Sequence, residues 1–192
     1  MRQIQLVGPI DKRVIAYPLF KICDNLGKVL VITDDTNFRR FSDDYSNEFT
    51  VGRSDFYVMN LVNKESVEAL GIRLSSYDYV LIITTNQIIE GNDNLVYCHG
   101  QNELICSEDT LDELEVNEHI DMLISTKRPK EKDVKFCGVD SKKISYVWDC
   151  EENKLFMPCK IPELVNICSF LFAQTLGVSK EEFSQIIARE LQ

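Results

Sequence analysis

Residues 5–35 read QLVGPIDKRVIAYPLFKICDNLGKVLVITDD, and the order of the apolar runs in this stretch decides the fold class. Residues 3–7, QIQLV, alternate into a short apolar run closed by Gly8 and Pro9, which reads as a strand followed by a loop. Leu19, Ile22, Cys23 and Leu26 then recur at helical spacing, with Pro18 expected in the first turn and Gly27 expected to close the helix with a left-handed cap. Residues 28–33, KVLVIT, are rich in β-branched side chains and stop at Asp34 and Asp35, as a strand buried on both faces would. Two strands joined through a helix are expected to run parallel, through a right-handed crossover.

Working outward, residues 48–51 and 56–60 read as short strands around Gly52, Arg53, Ser54 and Asp55, with no pairing assigned from sequence. Residues 65–70 read as a short helix closed by Gly71, and residues 77–85, YDYVLIITT, carry the clearest central-strand signal in the chain. Residues 88–106 mix Gly91, Asn92, Asp93 and Asn94 with short apolar pieces and are expected to be irregular. Further strands are expected at 134–139, 144–149 and 154–157, and a long apolar helix at 161–176 between Pro162 and Gly177. A last helix begins at the capping box formed by Ser179 and Glu182. Strands alternating with helices argue for an α/β fold with a mostly parallel sheet and helices on both faces. No repeat or low-complexity linker divides the chain, so residues 1–192 are expected to form one domain.

The 192 residues carry 21 basic and 31 acidic side chains, a net charge of -10, which disfavours non-specific binding of nucleic acid by the surface as a whole. The charge is segregated. Residues 108–121 hold seven acidic residues and no lysine or arginine, a solvated helix or loop or an acidic docking surface. Lys127, Arg128, Lys130, Lys132, Lys135, Lys142 and Lys143 follow, opposed by Glu131, Asp133 and Asp140. That basic stretch is the candidate patch for weak, salt-sensitive phosphate contacts. The seven cysteines are irregularly spaced and contain no CxxC pair, which fits reduced thiols of a cytoplasmic protein. Residues 1–8 lack the long apolar core of a secretory signal, and no apolar run approaches the roughly 20 residues of a membrane span.

The opening stretch resembles the first strand, phosphate loop, first helix and second strand of the ParA/MinD-type P-loop ATPases, and YDYVLIITT resembles their Walker B strand. Residues 154–172, KLFMPCKIPELVNICSFLF, are similar to the final strand, base-proximal loop and following helix of that family. The resemblance implies a P-loop NTPase-like fold and a nucleotide or anion site at Gly8, Lys12, Arg13 and Asp35, with Asp34 or Asp35 at the acidic end of the second strand. The residues depart from the pattern where the chemistry lies. A phosphate loop needs several glycines, a lysine for the β and γ phosphates and a Ser or Thr hydroxyl for magnesium. Here the loop is Gly8, Pro9, Ile10, Asp11, Lys12, Arg13 and Val14, with one glycine and no Gly-Lys-Ser/Thr, and Ile83 stands where the family's magnesium-binding carboxylate belongs. Phosphoryl transfer without both groups is hard to build.

Other enzyme classes find little footing. Cys98 and His99 are sequence neighbours that point to opposite sides of an extended segment, against a thiolate–imidazole pair. A zinc site from Cys98, His99 and Cys106 lacks the two tight ligand pairs such sites use. A receiver domain would need its acidic pair after the first strand, whereas Asp34 and Asp35 follow the second. The expectation is therefore a pseudo-ATPase with no catalytic residues, metal or cofactor. It would be a scaffold or adaptor that docks protein partners as a homodimer or heterodimer, in partition, pilus, secretion or division machinery. The alternative is a nucleotide- or nucleic-acid-binding module using the divergent loop or the basic stretch.

Overall fold

In a computed structural model, which describes residues 1–9, 12–89, 94–100, 120–125 and 145–148 and the single residues 179 and 185, the chain builds an eight-stranded sheet. The strands are β1 (Arg2–Val7), β2 (Val29–Thr33), β3 (Glu48–Val51), β4 (Ser54–Val58), β5 (Tyr79–Thr84), β6 (Asn94–Gly100), β7 (Ile120–Ser125) and β8 (Ser145–Trp148). Their spatial order is β3-β4-β2-β5-β1-β6-β7-β8, with every pair parallel except the β3–β4 hairpin. The fold is mixed α/β with a mostly parallel sheet. β1 and β2 run parallel as their helical connection requires, but β5 lies between them and pairs with both.

Helix α1 (Arg13–Leu26) starts earlier than the proline suggested, so Pro18 lies inside the helix and not in its first turn. Burial drives the longer helix: Ala16, Leu19, Phe20 and Cys23, spaced at i, i+3, i+4 and i+7, are all sealed in the core. The cost is one missing amide, since Pro18 has no hydrogen to give to the carbonyl four residues back. Gly27 is also not a left-handed cap. Its φ of -174° is ordinary extended backbone, and glycine is required there because a Cβ would lie 2.6 Å from the Cβ of Asp78. Helix α2 (Lys64–Ala69) opens on a reciprocal cap between Asn63 and Ser66 and is followed, as expected, by Gly71 at φ +63°.

Side-chain alternation assigns the two helices to opposite faces. On β4, Phe56 meets the ring of Phe20 from α1 at 4.9 Å, while its neighbour Tyr57 packs against the cluster of Leu30, Ile32, Val80 and Ile82, which Val67 of α2 also covers. The α1 face gathers aromatic rings: Phe49 stacks on Phe56 across the hairpin at 4.9 Å, and Phe41 touches both Phe56 and Phe38. The hairpin itself turns through Gly52 at φ +62°, with Val51 opposite Ser54.

The expectation of irregular structure over 88–106 is corrected by β6, which pairs with β1 on one side and β7 on the other. Its local sequence, NLVYCHG, is short on β-branched residues, and its strand form comes from the two neighbours. β8 falls within the strand expected at 144–149. The strands expected at 134–139 and 154–157, the helix at 161–176, all of the helix expected after Ser179 except Gln185, which is helical, the acidic residues 108–119 and the basic residues from Lys127 to Lys143 lie outside the described residues. Among the described residues no helix is long and apolar enough to cross a membrane.

Candidate functional site

From β1 the chain leaves toward β2 on one side of the sheet, and from β5 it leaves toward β6 on the other. The carboxyl ends of β1 and β5 therefore flank a topological switch point, where an open α/β sheet presents its ligand crevice. Register brings three strand ends level there, with Val7 opposite Thr84 and Thr33 opposite Ile83. Gly8, Lys12, Asp34, Asp35, Thr84 and Thr85 lie on or just beyond these ends.

Gly8 is pinned from two directions. Its amide approaches the carbonyls of Thr84 and Thr85 at 3.3 and 3.2 Å, and a Cβ built on it would lie 2.1 Å from the Cys98 carbonyl oxygen of β6. With φ at +142°, glycine is needed here both for the backbone conformation and for the close approach of β6. Lys12 is the N-cap residue of α1. Its side chain is 3% exposed, and its Nζ donates to the Gly8 carbonyl oxygen at 2.7 Å. Arg13 is half-buried at the first position of the helix.

The acidic pair after β2 divides its work. The Asp34 carboxylate accepts from the Thr85 amide at 2.9 Å and from its hydroxyl at 3.1 Å, tying β2 to β5. Asp35 instead caps a 3-10 turn over Thr36–Phe41, accepting from the amide of Asn37 at 2.9 Å and from its side-chain nitrogen at 2.8 Å. The sequence-predicted set is thus brought together only in part: Lys12 bonds to Gly8, whereas the Asp35 carboxylate is committed to Asn37. Ile83 is 1% exposed, a core side chain at the end of β5.

One cluster escaped the sequence reading. Gln5, fully buried in β1, donates to the Thr84 hydroxyl at 2.8 Å and to the Gln87 carbonyl at 2.6 Å, and accepts from the Ile89 amide at 3.0 Å. These bonds strap the segment after β5 onto β1. The one available signal was a glutamine between Ile4 and Leu6 in the apolar half of β1, because a buried amide must find partners.

No protein-family model and no curated protein matches the chain. Among solved structures it is similar to the MinC:MinD cell division protein complex of Aquifex aeolicus. The identity is 12% and the TM-score 0.48, over 100% of this chain and 96% of that one.

Cys23 and Cys98 are buried thiols that take no part in a disulfide. Burial pushes the Cys98 thiol up to about 12, with the nearby charge of Lys12 pulling the other way, so it stays protonated and unreactive near neutral pH. Among the described residues no group of three or more His, Cys, Asp or Glu side chains is arranged to hold a metal ion. Cys106, the third member of the zinc set considered from sequence, lies outside them.

Proposed function

We propose that this protein is a non-catalytic, ParA/MinD-like scaffold or adaptor that docks protein partners, as a homodimer or heterodimer, to position or assemble a larger machine. The observation that carries the reading is Ile83. It sits at the carboxyl end of β5, beside the switch point, buried among core residues, at the place where the resemblance calls for a magnesium-binding carboxylate. A hydrocarbon there can neither coordinate a cation nor orient water. The surrounding groups support the reading. Lys12 is turned onto the chain's own carbonyl and Asp34 is engaged with Thr85. The positive-φ glycine serves the approach of a neighbouring strand.

A protein of this shape without phosphoryl transfer keeps the part of the work that needs only surface, which is holding partners in place. The test has two arms. Pull-down from native cells with mass spectrometry is expected to recover a stoichiometric protein partner. Calorimetry with MgATP is expected to show no binding at micromolar concentration. Micromolar affinity accompanied by magnesium-dependent hydrolysis removes the proposal and favours the nucleotide-binding alternative.

A further inference from the structure

We infer that Tyr45 and Leu61 are the anchors of a docking surface for a different protein, one that offers an apolar recess with a basic rim. Among the described residues three large apolar side chains are exposed: Met1, Tyr45 at 68% and Leu61 at 51%. Met1 lies at the amino end of β1, whereas the other two share the opposite end of the sheet. The Val58 amide donates to the Asn47 carbonyl at 2.7 Å, and Glu48 stands opposite Tyr57, so the chain entering β3 lies level with the chain leaving β4. Tyr45 and Leu61 flank that junction, just before Asn47 and just after Val58. The turn that carries Tyr45 is held by its own contacts. The Tyr45 amide donates to the Ser42 carbonyl at 3.3 Å, the Ser42 hydroxyl bonds the Asp44 carboxylate, and the Ser46 amide approaches Ser42 Oγ and Asp44 Oδ1 at 3.2 and 3.1 Å. They keep Tyr45 at φ +56°, the one non-glycine residue with positive φ among those described. Glycine would suit that backbone better. An exposed ring gains little within its own fold to offset the strain, whereas a tyrosine seated in a partner's pocket is a strong source of binding energy.

Charge decides what covers the pair. Residues 42–48, SDDYSNE, hold three carboxylates and no lysine or arginine, and Asp43, Asp44 and Glu48 are all exposed. The bond from the Ser42 hydroxyl, then that from the Ser46 amide, holds the Asp44 carboxyl below its ordinary value of 3.8, so the turn stays anionic. The bases nearest in sequence, Arg39 and Arg40 before the turn and Lys64 beyond Leu61, are outnumbered by Asp43, Asp44, Glu48, Glu65 and Glu68. An anionic rim repels a nucleic acid and an anionic lipid surface alike. A self-complementary contact with a second copy would set these carboxylates against themselves. A basic protein surface around an apolar recess answers both the charge and the two side chains. This inference rests on the docking reading and names the surface and the partner's chemistry.

Site-specific photo-crosslinking in native cells tests it, with p-benzoylphenylalanine placed in the full chain at residue 45, 61 or 75. Ser75, exposed on the Leu74–Ser76 3-10 turn at the amino end of the sheet, is the control. Residues 45 and 61 are expected to capture one common protein through a peptide that carries lysine or arginine, and residue 75 none. With that protein purified, Tyr45→Ala and Leu61→Ala are each expected to weaken calorimetric binding roughly tenfold or more, while Tyr45→Phe and Ser75→Ala bind like the wild type. Added salt is expected to weaken the wild-type complex, and Asp43→Asn to reduce that dependence. Tyr45→Gly is expected to lose binding with a urea midpoint at or above that of the wild type, which separates docking from folding. Capture from residue 75 alone, capture of a second copy of this chain, or a complex indifferent to Tyr45→Ala or to salt overturns the inference and leaves the docking reading standing. No capture at 45 or 61 while wild-type pull-down recovers a partner does the same. No capture anywhere, with no partner in the pull-down, removes the docking reading itself.

Discussion

The Asp34 carboxylate spans from the end of β2 to the end of β5, accepting both the amide and the hydroxyl of Thr85 at 2.9 and 3.1 Å. It clamps two strand ends beside the topological switch point of the sheet. Asp34→Ala should lower stability by about 1 kcal/mol, because two bonds to a charged acceptor are lost at a partly solvated position. Asp34→Asn should recover part of that, since its amide oxygen can still accept. Urea unfolding midpoints of the three proteins check the order.

A second clasp joins α1 to the hairpin. Arg53 donates to the carbonyls of Asp24 and Asn25 at 2.7 and 3.5 Å, at the end of the helix where carbonyls lack partners. Ser54, fully buried, donates to the Asp24 carboxylate at 2.5 Å and accepts from the Val29 amide at 3.3 Å. Ser54→Ala leaves a buried amide unpaired and should cost about 1–3 kcal/mol, whereas Arg53→Ala at an exposed site should cost less than about 1 kcal/mol. A Ser54→Ala cost equal to or below that of Arg53→Ala contradicts this assignment.

Gly27 and Gly71 make a contrasting pair. At Gly27 the backbone suits any residue but the space does not, as a Cβ would fall 2.5 Å from a carboxylate oxygen of Asp78. That same oxygen accepts from the Lys28 amide at 2.8 Å. Gly27→Ala should therefore destabilise by about 1–3 kcal/mol, with partial relief when combined with Asp78→Ala. At Gly71 there is open space but φ is +63°, and Gly71→Ala should cost about 1 kcal/mol regardless of its neighbours. Thermal unfolding of the single and double variants separates the two causes.

A third cluster sets the pH range. Burial raises the Asp55 carboxyl, but bonds from Lys28, Tyr77 and Thr50 outweigh it and hold the group below its ordinary value of 3.8. A depressed carboxyl contributes stability that is present above the unfolded pKa and is lost as pH falls through the folded one, so the loss belongs below about pH 4. On the alkaline side, burial followed by the bond to Glu48 pushes Tyr57 up to about 12, and burial followed by the bond to Asp55 raises Tyr77. Their contribution is complete below the unfolded value near 10 and is lost as pH rises through the folded one. Urea midpoints are expected to be level between about pH 5 and 9, falling on both sides. Asp55→Asn should flatten the acid limb. Absorbance titration of tyrosinate is expected to show late titration of Tyr57 and Tyr77, lost from the profile in the Tyr57→Phe and Tyr77→Phe variants.

Much of the strand set was legible because it depends on local pattern. VLVIT and YVLIIT are apolar at every position except their final threonines, and their shortness and β-branched content mark them as strands covered on both faces. The α2 boundary was readable from Gly71. β6 was not readable, since NLVYCHG carries no strong strand signal and takes its form from β1 and β7 on either side. The Pro18 reading erred because burial of Ala16, Leu19, Phe20 and Cys23 outweighs one missing hydrogen bond.

At the candidate site the sequence supplied residue types and the tertiary structure assigned their work. That Ile83 is a hydrocarbon, and that the loop has a single glycine and no Gly-Lys-Ser/Thr, is fixed by covalent chemistry alone. That Gly8 faces the Cys98 carbonyl, that Lys12 turns back onto Gly8, and that Asp34 reaches Thr85 while Asp35 bonds Asn37, depend on contacts between residues up to 90 positions apart. A side chain's charge and hydrogen-bonding capacity belong to the residue. The partner that satisfies them is chosen by which strands lie side by side, and β5 between β1 and β2 is a fact of the folded sheet.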